Sequence, residues 1–172
     1  MELAFLEERK YGKEQLMDNS YLWLKVIHLL GVVMFLGNII ITGWWKFWAD
    51  KTCNPKVIAF AQQQVTVTDY IFTAGGALIL FLAGMVNVSS HYMSLSSKWL
   101  SYGMLMFTLS GIIWIVVLIP TQIKQAKMAK EFSNTGVIPE AYWLLCRRWN
   151  LFGAIAVLLP LVNLYWMVIK PT

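Results

Sequence analysis

Residues 21–48, YLWLKVIHLLGVVMFLGNIIITGWWKFW, decide the fold. Only Lys25 and, near the end, Lys46 are formally charged, and the run exceeds the roughly 20 residues that carry an α-helix across the hydrocarbon core. The segment reads as a transmembrane helix. His28 lies one heptad past Tyr21, so at 1.5 Å rise per residue it sits about 10 Å below the interface. An ionisable side chain at that depth is costly and usually faces a protein interior.

The rest of the chain agrees with that environment. Of 172 residues, 58% are hydrophobic and 13% charged, and mean hydropathy is +0.58, a balance that a water-soluble domain of this size could not bury. Nine tryptophans and seven tyrosines gather near the expected helix ends: Tyr21 and Trp23, Trp44, Trp45 and Trp48, Tyr92 and Trp99, Trp143 and Trp149, Tyr165 and Trp166. Amphipathic rings favour the headgroup level, so these read as aromatic belts, with Trp114 inside a run as the exception. Residues 1–20, MELAFLEERKYGKEQLMDNS, lack the basic, apolar and small-residue sequence of a cleaved signal peptide. The first span is expected to act as an uncleaved insertion signal.

Three more spans follow, at about 69–90, 99–120 and 151–169, each near the length of a hydrocarbon crossing. Residues 49–68, with Lys51, Asn54, Pro55, Lys56 and the glutamines Gln62 to Gln64, read as a polar loop that could hold a short helix. Amphipathic extensions are expected at 121–132, where Lys124, Lys127 and Lys130 recur every three residues as a headgroup-facing or docking surface, and at 139–150, with Pro139 suited to a first helical position. Pro160 should kink the last span. The fold class is all-α, an integral membrane four-helix antiparallel (up-down) bundle. Its expected partners are membrane lipid and further copies of the chain or a larger membrane complex, not nucleic acid.

Counting positive charges near span ends sets Lys46, Lys51, Lys56, Lys124, Lys127, Lys130, Arg147 and Arg148 on one side. Arg9, Lys10, Lys13, Lys98 and Lys170 fall on the other, with Lys25 just inside. The excess favours termini outside the cytoplasm. Cys53 and Cys146 then share the cytoplasmic side and read as free thiols.

At 100° per residue, His28, Gly31, Phe35, Asn38 and Thr42 fall within an arc of about 80°. Asp69, Thr73, Gly76, Asn87 and His91 share a face of the second span, and Gly103, Ser110, Trp114 and Thr121 one of the third. Small and polar residues on such faces let backbones approach and find partners that lipid does not offer. Counted by depth, Asn87, Met104, Met106 and Asn163 neighbour His28. The imidazole could hydrogen-bond Asn87 or Asn163, ligate haem iron through Nε2 with its other nitrogen held by a hydrogen bond, or serve proton or metal passage. His91 could be an interfacial histidine or a second axial ligand, a role open also to Met85, Met104 and Met106. Asp69 could cap the second span, pair with Arg147 or Arg148, or relay protons. The two arginines could anchor headgroups or hold propionates or lipid phosphates.

The segments YLWLKVIHLLGVVMFLGN, VTVTDYIFTAGGALILFLAG, GIIWIVVLIPTQ and LLPLVNLYWMVIKP resemble a bacterial domain-of-unknown-function family of small predicted integral membrane proteins, over about residues 21–171. That resemblance implies a multi-pass protein of the bacterial inner (cytoplasmic) membrane, with periplasmic or extracellular termini on the charge reading. More distantly, the first helix with its histidine and the final Val-Ile-Lys-Pro after Arg-Trp-Asn resemble HemJ-type protoporphyrinogen oxidases and the membrane domain of CopD copper-resistance proteins. The HemJ-type resemblance implies a haem b held by His28. It also implies a lysine near the start of the third span, where this chain has Gly103; that departure weakens the oxidase assignment, leaving enzymatic activity undecided, and leaves haem binding open. The expected function is haem b binding for electron transfer or porphyrin-linked redox chemistry. The alternatives are a cofactor-free structural or assembly subunit and a copper or small-solute permease.

Overall fold

A computed structural model describes the backbone of residues 2–91 and 93–170, and the side chains of residue 9, residues 15–91 and residues 93–170. Tyr92 and Pro171, placed above in a belt and a closing motif, lie outside the described residues.

The chain forms long helical rods: α1 (Glu2–Lys51), α2 (Pro55–Thr68) running through a π-helical segment Asp69–Ala74 into α3 (Gly75–Ser90), α4 (Lys98–Ile113) running through a second π segment Trp114–Leu118 into α5 (Ile119–Thr135), and α6 (Glu140–Ile169). Among the described residues, four stretches are long and apolar enough to cross a membrane: Gln15–Lys51, Pro55–Ser90, Lys98–Thr135 and Glu140–Ile169. Large apolar side chains such as Val33, Leu158 and Val168 stand more than half exposed on their outer faces. In water that surface would drive aggregation; in lipid it is the solvated face. Trp23, Trp44, Trp45 and Trp48 are likewise exposed, as belt residues should be.

The expected loop at 49–68 is corrected to a turn at Thr52 and Cys53 followed by α2. The Asn54 side chain accepts from the backbone N–H of Lys56 at 3.0 Å and Val57 at 3.4 Å, with Pro55 in the first turn. This satisfies donors that a helix start leaves orphaned, and proline is free to sit there because it has none to offer. Pro139 precedes its helix as an extended N-cap residue and α6 begins at Glu140. Gly136 ends α5 with φ 77, a left-handed conformation glycine adopts without a Cβ clash.

The π segments have local causes and consequences. Pro120 cannot donate to the ladder and its ring crowds the carbonyl four residues back; the widened turn Trp114–Leu118 lies immediately upstream and the rod continues past it. The other π segment contains buried Asp69 and Thr73. In a helix such bulges rotate side chains out of the regular register and recur at functional sites.

Two helix pairs build the bundle. α1 crosses α3 where Gly31 faces Gly76, so closely that a Cβ on Gly31 would stand 2.6 Å from the Leu80 nitrogen and one on Gly76 2.7 Å from the Phe35 nitrogen. α4 meets α6 through Ser110 Oγ, which donates to the Ala156 carbonyl at 2.8 Å, and through the Tyr102 and Trp166 rings. Between the pairs, Phe35, Leu36 and Leu80 pack with Phe107, and Phe107 stacks on Phe81 with centroids 6.1 Å apart. A separate core of Ile58, Ala129, Phe132, Tyr142 and Cys146 joins α2, α5 and α6 at the end away from His28.

Candidate functional site

His28 projects from α1 toward α3, half-buried. Its Nδ1 lies 2.6 Å from the Leu80 carbonyl oxygen. A carbonyl only accepts, so Nδ1 carries the proton and donates; in the neutral ring Nε2 then holds the lone pair. Glycine at position 84 makes this possible, because a Cβ there would stand 3.1 Å from Nδ1 and 3.2 Å from Cε1. The expected partners of the imidazole, Asn87 and Asn163, are therefore corrected: the ring bonds the backbone of the facing helix, and among the described residues the buried Oδ1 atoms of both asparagines are left without a partner.

The histidine lines a cavity of about 480 Å³ between the helix pairs, with Gly84, Asn87, Met104, Asn163 and Met167 among its walls. That volume falls in the range of small-molecule and cofactor pockets. Phe35 and Phe107 close the inner end, and Tyr21, Trp99, Lys25 and Lys170 line it toward the membrane surface. Gly103, where the HemJ-type pattern would have lysine, is buried, and a Cβ there would come within 2.8 Å of Asn163 Oδ1. A side chain at position 103 would enter the cavity wall.

A family model described as "Predicted integral membrane protein (DUF2269)" matches residues 22–171. The chain belongs to the DUF2269 family. Comparison with curated proteins and with solved structures gives no match. The DUF2269 description names the membrane and no chemistry, so the site's chemistry is read from its own residues.

Of the residues expected around a haem in this DUF2269 chain, His28, Met85, Asn87, Met104 and Asn163 line the cavity, joined by Met93 and Met167. Met106 does not line it, being turned to another face of α4. His91 is the C-cap of α3, where Nδ1 faces the Asn87 carbonyl at 3.1 Å and Nε2 the Met17 carbonyl at 3.2 Å. A carbonyl only accepts and a neutral ring donates from one nitrogen, so one of these two contacts is a hydrogen bond; with its ring edge-on to Tyr21, His91 packs α3 against α1 and is absent from the cavity wall. Arg147 and Arg148 are exposed near the opposite end; the cations beside the His28 cavity are Lys25 and Lys170.

Asp69 neither caps the second span nor pairs with the arginines. It lies mid-rod and its Oδ1 accepts from Asn38 Nδ2 at 2.9 Å and Thr73 Oγ1 at 3.0 Å. Sequence reading also missed a buried ion pair. Lys46, counted above as a surface cation, is 1% exposed and its Nζ donates to Asp50 Oδ2 at 3.0 Å and the Tyr142 hydroxyl at 3.1 Å. Tyr142 donates in turn to Asp50 Oδ1 at 3.1 Å, and Gln125 Nε2 to Cys146 Sγ at 3.2 Å. The Lys46 and Asp50 spacing of four residues was the available signal.

Among the described residues no three His, Cys, Asp or Glu side chains come together as a metal group. A bare-ion centre with several such donors is therefore not built from them, whereas haem brings its own four equatorial nitrogens and asks the protein for axial ligands.

Proposed function

We propose that this integral membrane protein binds haem b in the cavity beside His28, with His28 Nε2 as an axial ligand, and serves electron transfer or porphyrin-linked redox chemistry. The observation that carries the reading is the Nδ1–H bond to the Leu80 carbonyl. A ligating histidine typically donates its other nitrogen to a carbonyl or carboxylate, which fixes the tautomer and raises the basicity of the ligating atom.

The residues present fit the group. Met85, Met104 and Met167 offer thioethers along the wall, Asn87 and Asn163 line it, and Lys25 and Lys170 stand where anionic propionates would meet the interface. When bound, haem supplies a one-electron couple. The chain's contribution is to hold the imidazole against Gly84 in one orientation, to keep water from its inner face with the Phe35 and Phe107 rings, and to set positive charge at the mouth. The absence of lysine at Gly103 separates this reading from the HemJ-type enzyme.

The test is titration of haemin into purified protein in detergent. A Soret band saturating at one equivalent, and lost in His28→Ala with unchanged thermal unfolding of the haem-free protein, is the expected result. A wild-type protein that gives no specific Soret band sinks the proposal.

A further inference from the structure

A second cavity, of about 550 Å³, lies on the other side of the Phe35 and Phe107 rings, which wall both spaces. Asp69 is the one titratable side chain among the described residues that line it. The carboxyl lies inside the membrane: Asn38, which donates to Asp69 Oδ1 at 2.9 Å, stands ten residues before Trp48, about 15 Å along α1 from that belt. Asp69 also opens the π segment Asp69–Ala74, the kind of bulge that recurs at functional sites. Its two oxygens differ. Oδ1 accepts from Asn38 Nδ2 and Thr73 Oγ1. On Oδ2 no hydrogen bond closes among the described residues, and that atom is not one of the unpartnered polar atoms sealed from solvent. Asp69 lines a further pocket, beside Thr66 and Tyr70, but at about 10 Å³ it holds no more than about one water. Of the two spaces, only the larger admits an organic molecule.

An acidic side chain in the hydrocarbon region is costly unless a positive partner joins it. Among the described residues no Lys, Arg or His lines the cavity, and Lys46, over the Trp149 ring, is held by Asp50 at 3.0 Å. The walls therefore carry negative charge or none. The hydroxyl groups on them agree in sign. Thr42 Oγ1 gives its proton to the Asn38 carbonyl at 2.7 Å and Ser110 Oγ to the Ala156 carbonyl at 2.8 Å, so any further bond that either makes is as an acceptor. A carboxyl and acceptors call for N–H donors on a positive centre. The volume is that of a small-molecule site rather than a bare ion's, and Phe35, Phe47, Phe107 and Trp114 on the walls suit an ammonium group on an apolar body. Ile40 and Leu158 line the cavity while standing 54% and 59% exposed on the lipid-facing surface, so its wall is continuous with the bilayer. We infer that this cavity binds a lipid-soluble organic amine in its ammonium form, with the Asp69 carboxylate as counter-ion. The binding stands independently of haem at His28.

The experiment uses the full chain in phosphatidylcholine nanodiscs, which carry no net charge to concentrate a cation. It titrates 4-phenylbutylamine by calorimetry, beside 4-phenylbutanol, which has the same body and a neutral head, with empty nanodiscs as the blank. Saturable amine binding at one equivalent, at least roughly tenfold tighter than the alcohol, is expected, the scale of one charge-assisted hydrogen bond. Asp69→Asn keeps the side-chain shape and removes the charge, and should lower the amine to the affinity of the alcohol. Equal affinity of the wild type for the two probes, indicating an apolar space only, would overturn the inference without need of any variant. So would the absence of saturable amine binding, whether or not sodium ions bind in its place, or a folded Asp69→Asn that binds the amine as the wild type does. None of these outcomes depends on a Soret band, so this proposal and the haem reading can fail separately.

Discussion

Asp50→Ala should be among the most damaging single substitutions at the end of the bundle remote from His28. Lys46 is 1% exposed and Asp50 13%. Removing the carboxylate leaves the ammonium, among the described residues, with only the neutral Tyr142 hydroxyl and Cys146 thiol as hydrogen-bond partners, and leaves the Tyr142 hydroxyl without its acceptor. Truncating one member of a buried pair costs about 3–5 kcal/mol because the other charge stays buried and uncompensated. At about 2–4 °C per kcal/mol for a chain of this size, thermal unfolding in a fixed detergent should fall by roughly 6–20 °C. The double variant Lys46→Met, Asp50→Ala removes both charges and keeps an apolar stem of similar length, so it should recover most of that loss. A fall of less than about 2 °C in the single variant, below the predicted scale, would refute the reasoning, as would a double variant no more stable than Asp50→Ala.

Gly31→Ala drives a methyl toward the Leu80 nitrogen and the Gly76 carbonyl; parting α1 from α3 should cost about 1–3 kcal/mol or more in detergent unfolding, and a neutral effect would mean that the crossing is looser than described. Cys53 is exposed and Cys146 buried, so maleimide should label Cys53 in the folded protein and Cys146 only after denaturation, read by mass spectrometry of the labelled peptides. In intact cells an impermeant maleimide should miss Cys53 if the charge asymmetry sets that turn in the cytoplasm; labelling without lysis would reverse the orientation.

Much of the bundle could be read from the chain because lipid imposes simple rules. The faces inferred from 100° steps are the ones that turn inward: Gly31, Phe35, Asn38 and Thr42 on α1, Asp69, Thr73 and Gly76 along the second rod, and Gly103, Ser110 and Thr121 along the third are buried. Depth counting likewise set Asn87, Met104 and Asn163 near His28, and all three line its cavity. What escaped depends on partners rather than periodicity. The atom that accepts from His28 is a backbone carbonyl, invisible in side-chain chemistry. The stretch 49–68 looked polar because of its lysines and glutamines, yet Gln62 is buried beside Ile58 and Val65; the Asn54-Pro55 start was the cue to a helix. Met106 missed the cavity because neighbouring depths on a helix face different directions. Lys46 was counted as a surface charge because its partner Tyr142 is far along the chain.

The central claim is the state of His28 Nε2, and the most direct measurement is the reduced-minus-oxidised absorption spectrum of protein purified from haem-replete cells. The wild type should give a haem b difference spectrum, absent from an equally folded His28→Ala. A colourless wild type, or a band that persists unchanged in His28→Ala, would contradict it.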